Sequence, residues 1–164
     1  MQKIGIAMKK YFELGDSAWA AGNLYGAFRL FLAGAKAGDS SCAHNLGYFY
    51  DNGIGVKRSI DKAVYWYLRA CEGDPRQGSG AHNLALIYIE IGDLKRAKKY
   101  FKLAVKLAHL SSLFDLAELA FNAGDINEAE KLLRRLLAKG KNRTFPIVLE
   151  RARRKLRKIE KLAR

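Results

Sequence analysis

The apolar positions of this chain recur at helical spacing and are interrupted at regular points by glycine. Gly22-Asn23, Gly92-Asp93 and Gly124-Asp125 are compact breaks, and Gly53 opens a longer one that runs to Ser59. In each compact case the glycine can take the left-handed conformation that ends one helix. The Asn or Asp that follows can accept hydrogen bonds from the first free amides of the next helix. Asp125 with Glu128 three residues on has the spacing of a capping box. Such short turns fold consecutive helices back on each other, so each break marks a helical hairpin. The pattern predicts helices over 3–21 and 24–37, 40–52 and 59–72, 79–91 and 94–107, and 110–123 and 126–139.

Aligning the chain on those glycines exposes a repeat. Leu14, Leu84 and Leu116 stand eight residues before Gly22, Gly92 and Gly124, and Leu46 stands seven before Gly53. Ala27, Ala97 and Ala129 follow five residues after the compact breaks, and Ala63 takes that place in the long-turn unit. Bulky pairs come next at Leu30-Phe31, Trp66-Tyr67, Tyr100-Phe101 and Leu132-Leu133, then Gly34, Ala70, Ala104 and Leu136. Steps of three and four draw one helix face. The small residues let helices approach, and the bulky pairs fill the next groove. The stretch 74–80 reads as a surface loop between the second and third units. A last helix is expected near Pro146, with an apolar stripe of Phe145, Leu149, Ala152, Leu156, Ile159 and Ala163 on an otherwise basic surface. A repeat array leaves an open apolar end, and such a helix would cover it. The chain therefore divides into an all-α repeat domain, 1–140, and a basic amphipathic capping helix, 141–164.

The second unit closely resembles the Sel1-like repeat, a longer-turned relative of the tetratricopeptide repeat. The resemblance rests on Ala43, Leu46, Gly47 and Tyr50, then Gly53, Gly55 and Val56, then Lys62, Ala63, Trp66, Tyr67 and Ala70. The third unit keeps Ala81, Leu84, Tyr88 and Ala97 around a short turn and is similar to a tetratricopeptide repeat. The first and fourth retain little beyond Leu14, Gly15 and Ala27, or Leu116, Ala117 and Ala129. The resemblance implies a right-handed α-α superhelix, a solenoid of about four hairpins whose first helices line a concave groove. It also implies adaptor, scaffold or partner-binding work without chemistry. Carried onto this sequence, the groove positions are Phe12, Asp16 and Trp19; His44, Tyr48, Asp51 and Asn52; His82, Leu86, Ile89 and Glu90; and Phe114, Glu118 and Phe121. That lining is aromatic and apolar with about one carboxylate per unit, and it suits a peptide with apolar anchors and some basic residues. Packing between repeats is the competing use of the same aromatics. Some secreted members of the family clip a repeat's helices with a disulfide. Cys71 falls at one such position and Cys42 one residue from the other, so two buried thiols and a bridged pair both stay open.

Charge sharpens this picture. The chain has 164 residues and a net charge of +14. Residues 139–164 hold 11 basic and 2 acidic side chains, against 16 and 9 over residues 1–110. Lys95, Arg96, Lys98, Lys99, Lys102 and Lys106 cluster on one helix, and Arg151, Arg153, Arg154, Lys155, Arg157, Lys158 and Lys161 surround the last apolar stripe. Such clusters can be solvated faces, or can contact phosphates, an acidic protein surface or an anionic membrane.

Several chemistries find no support. Gly53-Ile54-Gly55 lacks the preceding strand and the further glycine or lysine of a phosphate loop. His44 and His82 sit at equivalent repeat positions, ~8–10 Å apart by helix packing, with no completing ligand, so no metal or other cofactor is expected. No Ser/His/Asp or Cys/His arrangement is visible, and no apolar run approaches the ~20 residues of a membrane span. The first ten residues are too short of apolar character for a signal peptide, and a cytoplasmic location is expected. The reading is a non-catalytic module, a monomer outside its complex, that binds a partner protein or peptide as adaptor, scaffold, or neutralising or assembly partner. Weak contact of the basic helix with nucleic acid or another polyanion is the alternative.

Overall fold

A computed structural model describes residues 2–73, 78–140 and 146–162, with side chains over 10–72, 78–140 and 146–161. Within them the chain runs through α1 (Gln2–Ala20), α2 (Leu24–Lys36), α3 (Ser40–Asn52), α4 (Ile60–Gly73), α5 (Gly78–Glu90), α6 (Leu94–Lys106), α7 (Ser112–Asn122), α8 (Ile126–Gly140) and α9 (Pro146–Leu162). The described residues contain no strand, and none of their helices is long and apolar enough to cross a membrane.

The predicted punctuation is what makes the hairpins. Gly22, Gly92 and Gly124 adopt φ of 78°, 80° and 81°, a left-handed backbone at which a side chain would be strained. Asn23 then accepts from the Gly26 amide at 2.9 Å, Asp93 from Arg96 at 2.9 Å and Asp125 from Glu128 at 3.1 Å. Helix ends otherwise stay within two residues of expectation. Ser79 and Gly80, where the expected loop over 74–80 and the expected helix over 79–91 overlap, belong with Gly78 to the first turn of α5, where both glycines are buried. The rest of that loop, with Phe145 and Ala163 of the last stripe, lies outside the described residues.

Each hairpin packs on the next through its second helix, α2 on α3, α4 on α5 and α6 on α7. First helices also touch one another, α1 with α3 and α3 with α5, and no pair of second helices comes as close. The array therefore curves with its first helices inside. The repeat positions carry the core. Ala27, Ala63, Ala97 and Ala129 are fully buried, as are Phe31, Tyr67 and Leu133, and Phe101 is nearly so. Gly47 gives the clearest reason for a small residue, because a Cβ there would stand 2.5 Å from the Tyr67 ring. Burial gathers at successive junctions, where Phe31 and Phe49, Tyr67 and Ile87, and Leu113 and Leu133 anchor separate clusters.

One repeat position departs from the pattern. Leu46, Leu84 and Leu116 are buried, but Leu14 is 45% exposed. The others pack in junction clusters with the second helix of the preceding hairpin, whereas Leu14, on the first described helix, joins none of these clusters. The final helix packs on α8 as α7 packs on α6. Leu149, Ala152, Leu156 and Ile159 join the same cluster as Leu113 and Leu133, so α9 and the last hairpin share one core. Cys42 and Cys71 are both free thiols. Cys42 is buried within the α2–α3 junction and Cys71 packs at the next one.

Candidate functional site

The expected groove residues lie on α1, α3, α5 and α7 and divide by use. Phe12 and Trp19 pack into the first junction. The Trp19 ring centroid lies 5.1 Å from that of Phe49 and 5.7 Å from that of Tyr48. Asp16, Tyr48 and Asn52 remain exposed. Phe114 departs from expectation, being only 6% exposed, with the Arg151 guanidinium 4.5 Å over its ring. The last helix covers it, so Phe114 belongs to the core.

His44 and His82 are half-buried structural groups. Asn83 Nδ2 donates to the Tyr67 hydroxyl at 3.1 Å and to His44 Nε2 at 3.3 Å. An amide nitrogen has no lone pair to offer, so His44 accepts there as a neutral ring. Burial lowers its pKa in keeping with that. Tyr67 in turn donates to Asp51 Oδ2 at 3.5 Å, and burial raises the Asp51 pKa. At the next junction Ser112 Oγ lies 2.9 Å from both His82 Nδ1 and His109 Nδ1. One hydroxyl proton serves one ring, and the other ring donates back to the oxygen. Burial first, then His109, brings the His82 pKa down to about 4.

Asp115 Oδ2 lies 3.6 Å from His82 Nδ1, and burial raises its pKa to about 6. Ser112, His82 and Asp115 do not form a nucleophile relay. Such a relay divides the base's two nitrogens between nucleophile and carboxylate, but here both partners address Nδ1. Ser112 is also fully buried. No group of three or more His, Cys, Asp or Glu placed to hold a metal occurs among the described residues.

What stays open is a cleft of about 380 Å³ between α5 and α7. Leu86 and Ile89 line it while 45% and 37% exposed. Phe101 and Leu119 also line it, with Asp115, Glu118 and Asn122. Its surroundings hold cations that sequence reasoning missed or placed elsewhere. Arg58, from the long turn of the second unit, donates through Nη2 to both carboxylate oxygens of Glu90, at 2.7 and 2.8 Å. Its Nε donates to the Asp51 carbonyl at 2.7 Å. The only signal for Arg58 was the length of that turn, which carries it toward α5. Lys155 Nζ lies 3.0 Å from Glu118 and 3.8 Å from the Phe121 ring centroid.

Lys155, expected on the outward basic patch, therefore turns inward, its side chain 16% exposed. Lys158 also approaches Phe121, at 5.8 Å. Arg154 pairs with Glu150 at 3.1 Å. Arg153 and Arg157 are exposed. On α6, Lys95 is exposed, Arg96 pairs with Asp93 at 3.3 Å and lies over Tyr88, and Lys99 lies over Tyr100. The groove carboxylates are thus largely paired already, and the cleft's free character is apolar.

Comparison with known proteins matches this geometry. Residues 40–75 match the family described as Sel1 repeat, and residues 80–108 match the tetratricopeptide repeat. The second and third hairpins are thus a Sel1-like and a tetratricopeptide-like repeat. It is 33% identical over 100 residues to the putative sel1-like repeat-containing protein L21 of Acanthamoeba polyphaga mimivirus, covering 59% of this chain and 18% of that one. The chain thus spans under a fifth of that relative's length. Among solved structures, a Sel1 repeat protein from Oxalobacter formigenes superimposes with a TM-score of 0.68 at 20% identity, over 92% of this chain and 73% of that one. BtubC (BKLC) from P. vanneervenii gives 0.70 at 18% identity, over 98% and 74%. Both likenesses support an all-helical solenoid of repeats. Repeats of these families are generally protein–protein interaction modules, typically non-catalytic.

Proposed function

We propose that this repeat array is a non-catalytic adaptor that captures one segment of a partner protein on its inner face, anchored at the cleft between α5 and α7. The observation that carries this reading is the exposure of Leu86 and Ile89 beside Phe101 and Leu119. Two large aliphatic side chains at i and i+3 present one apolar ridge on a helix face, and a peptide side chain entering beside them is removed from water. Arg58 and Lys155 already neutralise Glu90 and Glu118. Selection therefore falls on apolar anchors more than on basic residues. A second reading has its own support: Arg153 and Arg157 are exposed on α9 with no ion pair among the described residues, a footprint open to nucleic-acid phosphates.

Affinity capture from native lysate, with and without nuclease, separates the two. The adaptor reading expects one stoichiometric protein that survives nuclease, is lost with Leu86→Asp/Ile89→Asp, and is kept with Arg153→Glu/Arg157→Glu. Retention of that protein by the cleft variant would sink the reading. A heterogeneous catch that vanishes with nuclease and with the α9 variant would install the second.

A further inference from the structure

We infer that the outer side of the array carries a second binding site, a cleft between α6 and α8 that takes an acidic amphipathic helix of a partner protein. The cleft encloses about 350 Å³. Lys98, Lys102 and Lys106 border it from α6, and Arg135 faces them from α8. Beneath them its lining is aliphatic, from Val105, Leu116, Ala120 and Leu132. The one carboxylate in the lining, Glu128, lies 3.9 Å from Lys131.

The charges here are left uncompensated. None of the four bordering cations forms an ion pair among the described residues. Arg134, next to Arg135 in sequence, instead holds Glu130 at 2.8 Å and Glu160 at 3.1 Å. Lys98, Lys102 and Lys106 succeed one another at i+4, a spacing at which like charges repel along a helix. They extend over ~12 Å of α6 at 1.5 Å per residue. Carboxylates at the same spacing on an incoming helix would face all three and relieve that repulsion.

The lining decides the class of partner. A nucleic acid needs cations and gains from aromatic rings on which bases stack, but the walls of this cleft are aliphatic. A membrane surface meets protruding side chains, whereas this apolar surface is recessed between two helices. A trough with an apolar base and charged borders fits a helix bearing apolar anchors at i and i+3 or i+4 between acidic flanks. The site faces away from the inner groove and does not depend on it.

The test uses the full chain and an array of fluorescein-labelled helical peptides, with glutamate on both flanks and leucine or phenylalanine at varied helical spacings. Binding is read by fluorescence anisotropy. At least one peptide should bind saturably. Lys102→Glu/Arg135→Glu should weaken it by about tenfold or more, and Lys98→Gln/Lys106→Gln should weaken it to a smaller extent, with helical circular dichroism unchanged. Serine in place of the peptide's apolar anchors should abolish binding. Leu86→Asp, which disables the inner cleft, should leave it intact. The inference is overturned if no peptide of the array binds, or if binding ignores both charge variants and the serine replacement. It is equally overturned if a single-stranded DNA oligonucleotide of matched charge binds as tightly and displaces the peptide.

Discussion

Lys155 Nζ stands 3.0 Å from the Glu118 carboxylate and 3.8 Å from the centre of the Phe121 ring. The last helix thereby meets the inner face of α7 with a cation that is charge-paired and seated on an aromatic face at once. Its side chain is largely shielded from solvent, so the two contacts are screened less than those of a surface ion pair. Lys155→Ala should lower stability by about 1 kcal/mol, read as a fall in thermal midpoint. Pairing it with Glu118→Ala should cost less than the sum of the single changes. Strict additivity would show that the contact contributes nothing.

Acid sensitivity should arise at the α5–α7 junction. The His82 pKa falls from 6.5 to about 4 in the fold. Between those values the unfolded chain binds a proton that the folded chain does not, so stability declines as pH falls from about 6.5 toward 4. Asp115 works in the opposite sense. Its pKa rises from 3.8 to about 6, so its protonation in the fold adds stability as pH falls below about 6. In thermal melts taken from pH 7 to pH 5, His82→Gln should flatten the acid-side decline and Asp115→Asn should steepen it. Parallel curves for all three proteins would refute the assignment.

The approach of Gly47 to Tyr67 predicts a strict steric requirement. A Cβ at position 47 would lie 2.5 Å from that ring, and Tyr67 is fully buried with its hydroxyl bonded to Asn83. The ring has little room to retreat. Gly47→Ala should destabilise the chain by about 1–3 kcal/mol, measured by urea unfolding. In a Tyr67→Ala background the same change should cost almost nothing. An equal cost in both backgrounds would place the requirement elsewhere.

Much of the fold was legible in local pattern. A glycine followed by Asn or Asp specifies a helix end and a helix start within a few residues, because both depend on backbone groups next to them. The alanine-to-bulky-pair spacing then named the buried face, and Ala63 with Tyr67 or Ala97 with Phe101 sit where it put them. Leu14 shares the repeat position of Leu46 and Leu84 yet is exposed, because burial there depends on a neighbouring hairpin and not on its own helix.

The site was less legible. The rotation of α9 about its axis decides which of its basic residues turn inward, and sequence spacing grouped Lys155 with Arg153 and Arg157. Arg58 reaches Glu90 across 32 positions. Ser112 joins His82 and His109 only when α5 and α7 are side by side. Phe114 looked like groove lining until α9 covered it.

The sequence by itself determined the number and extent of the hairpins, the repeat register and the faces that pack, since capping and periodic burial act over a few residues. Only the tertiary structure decided which charges are already paired, which aromatics belong to the core and where open clefts remain. Those depend on helices that are distant in the chain and adjacent in space, and on side-chain directions that a helical period alone does not specify.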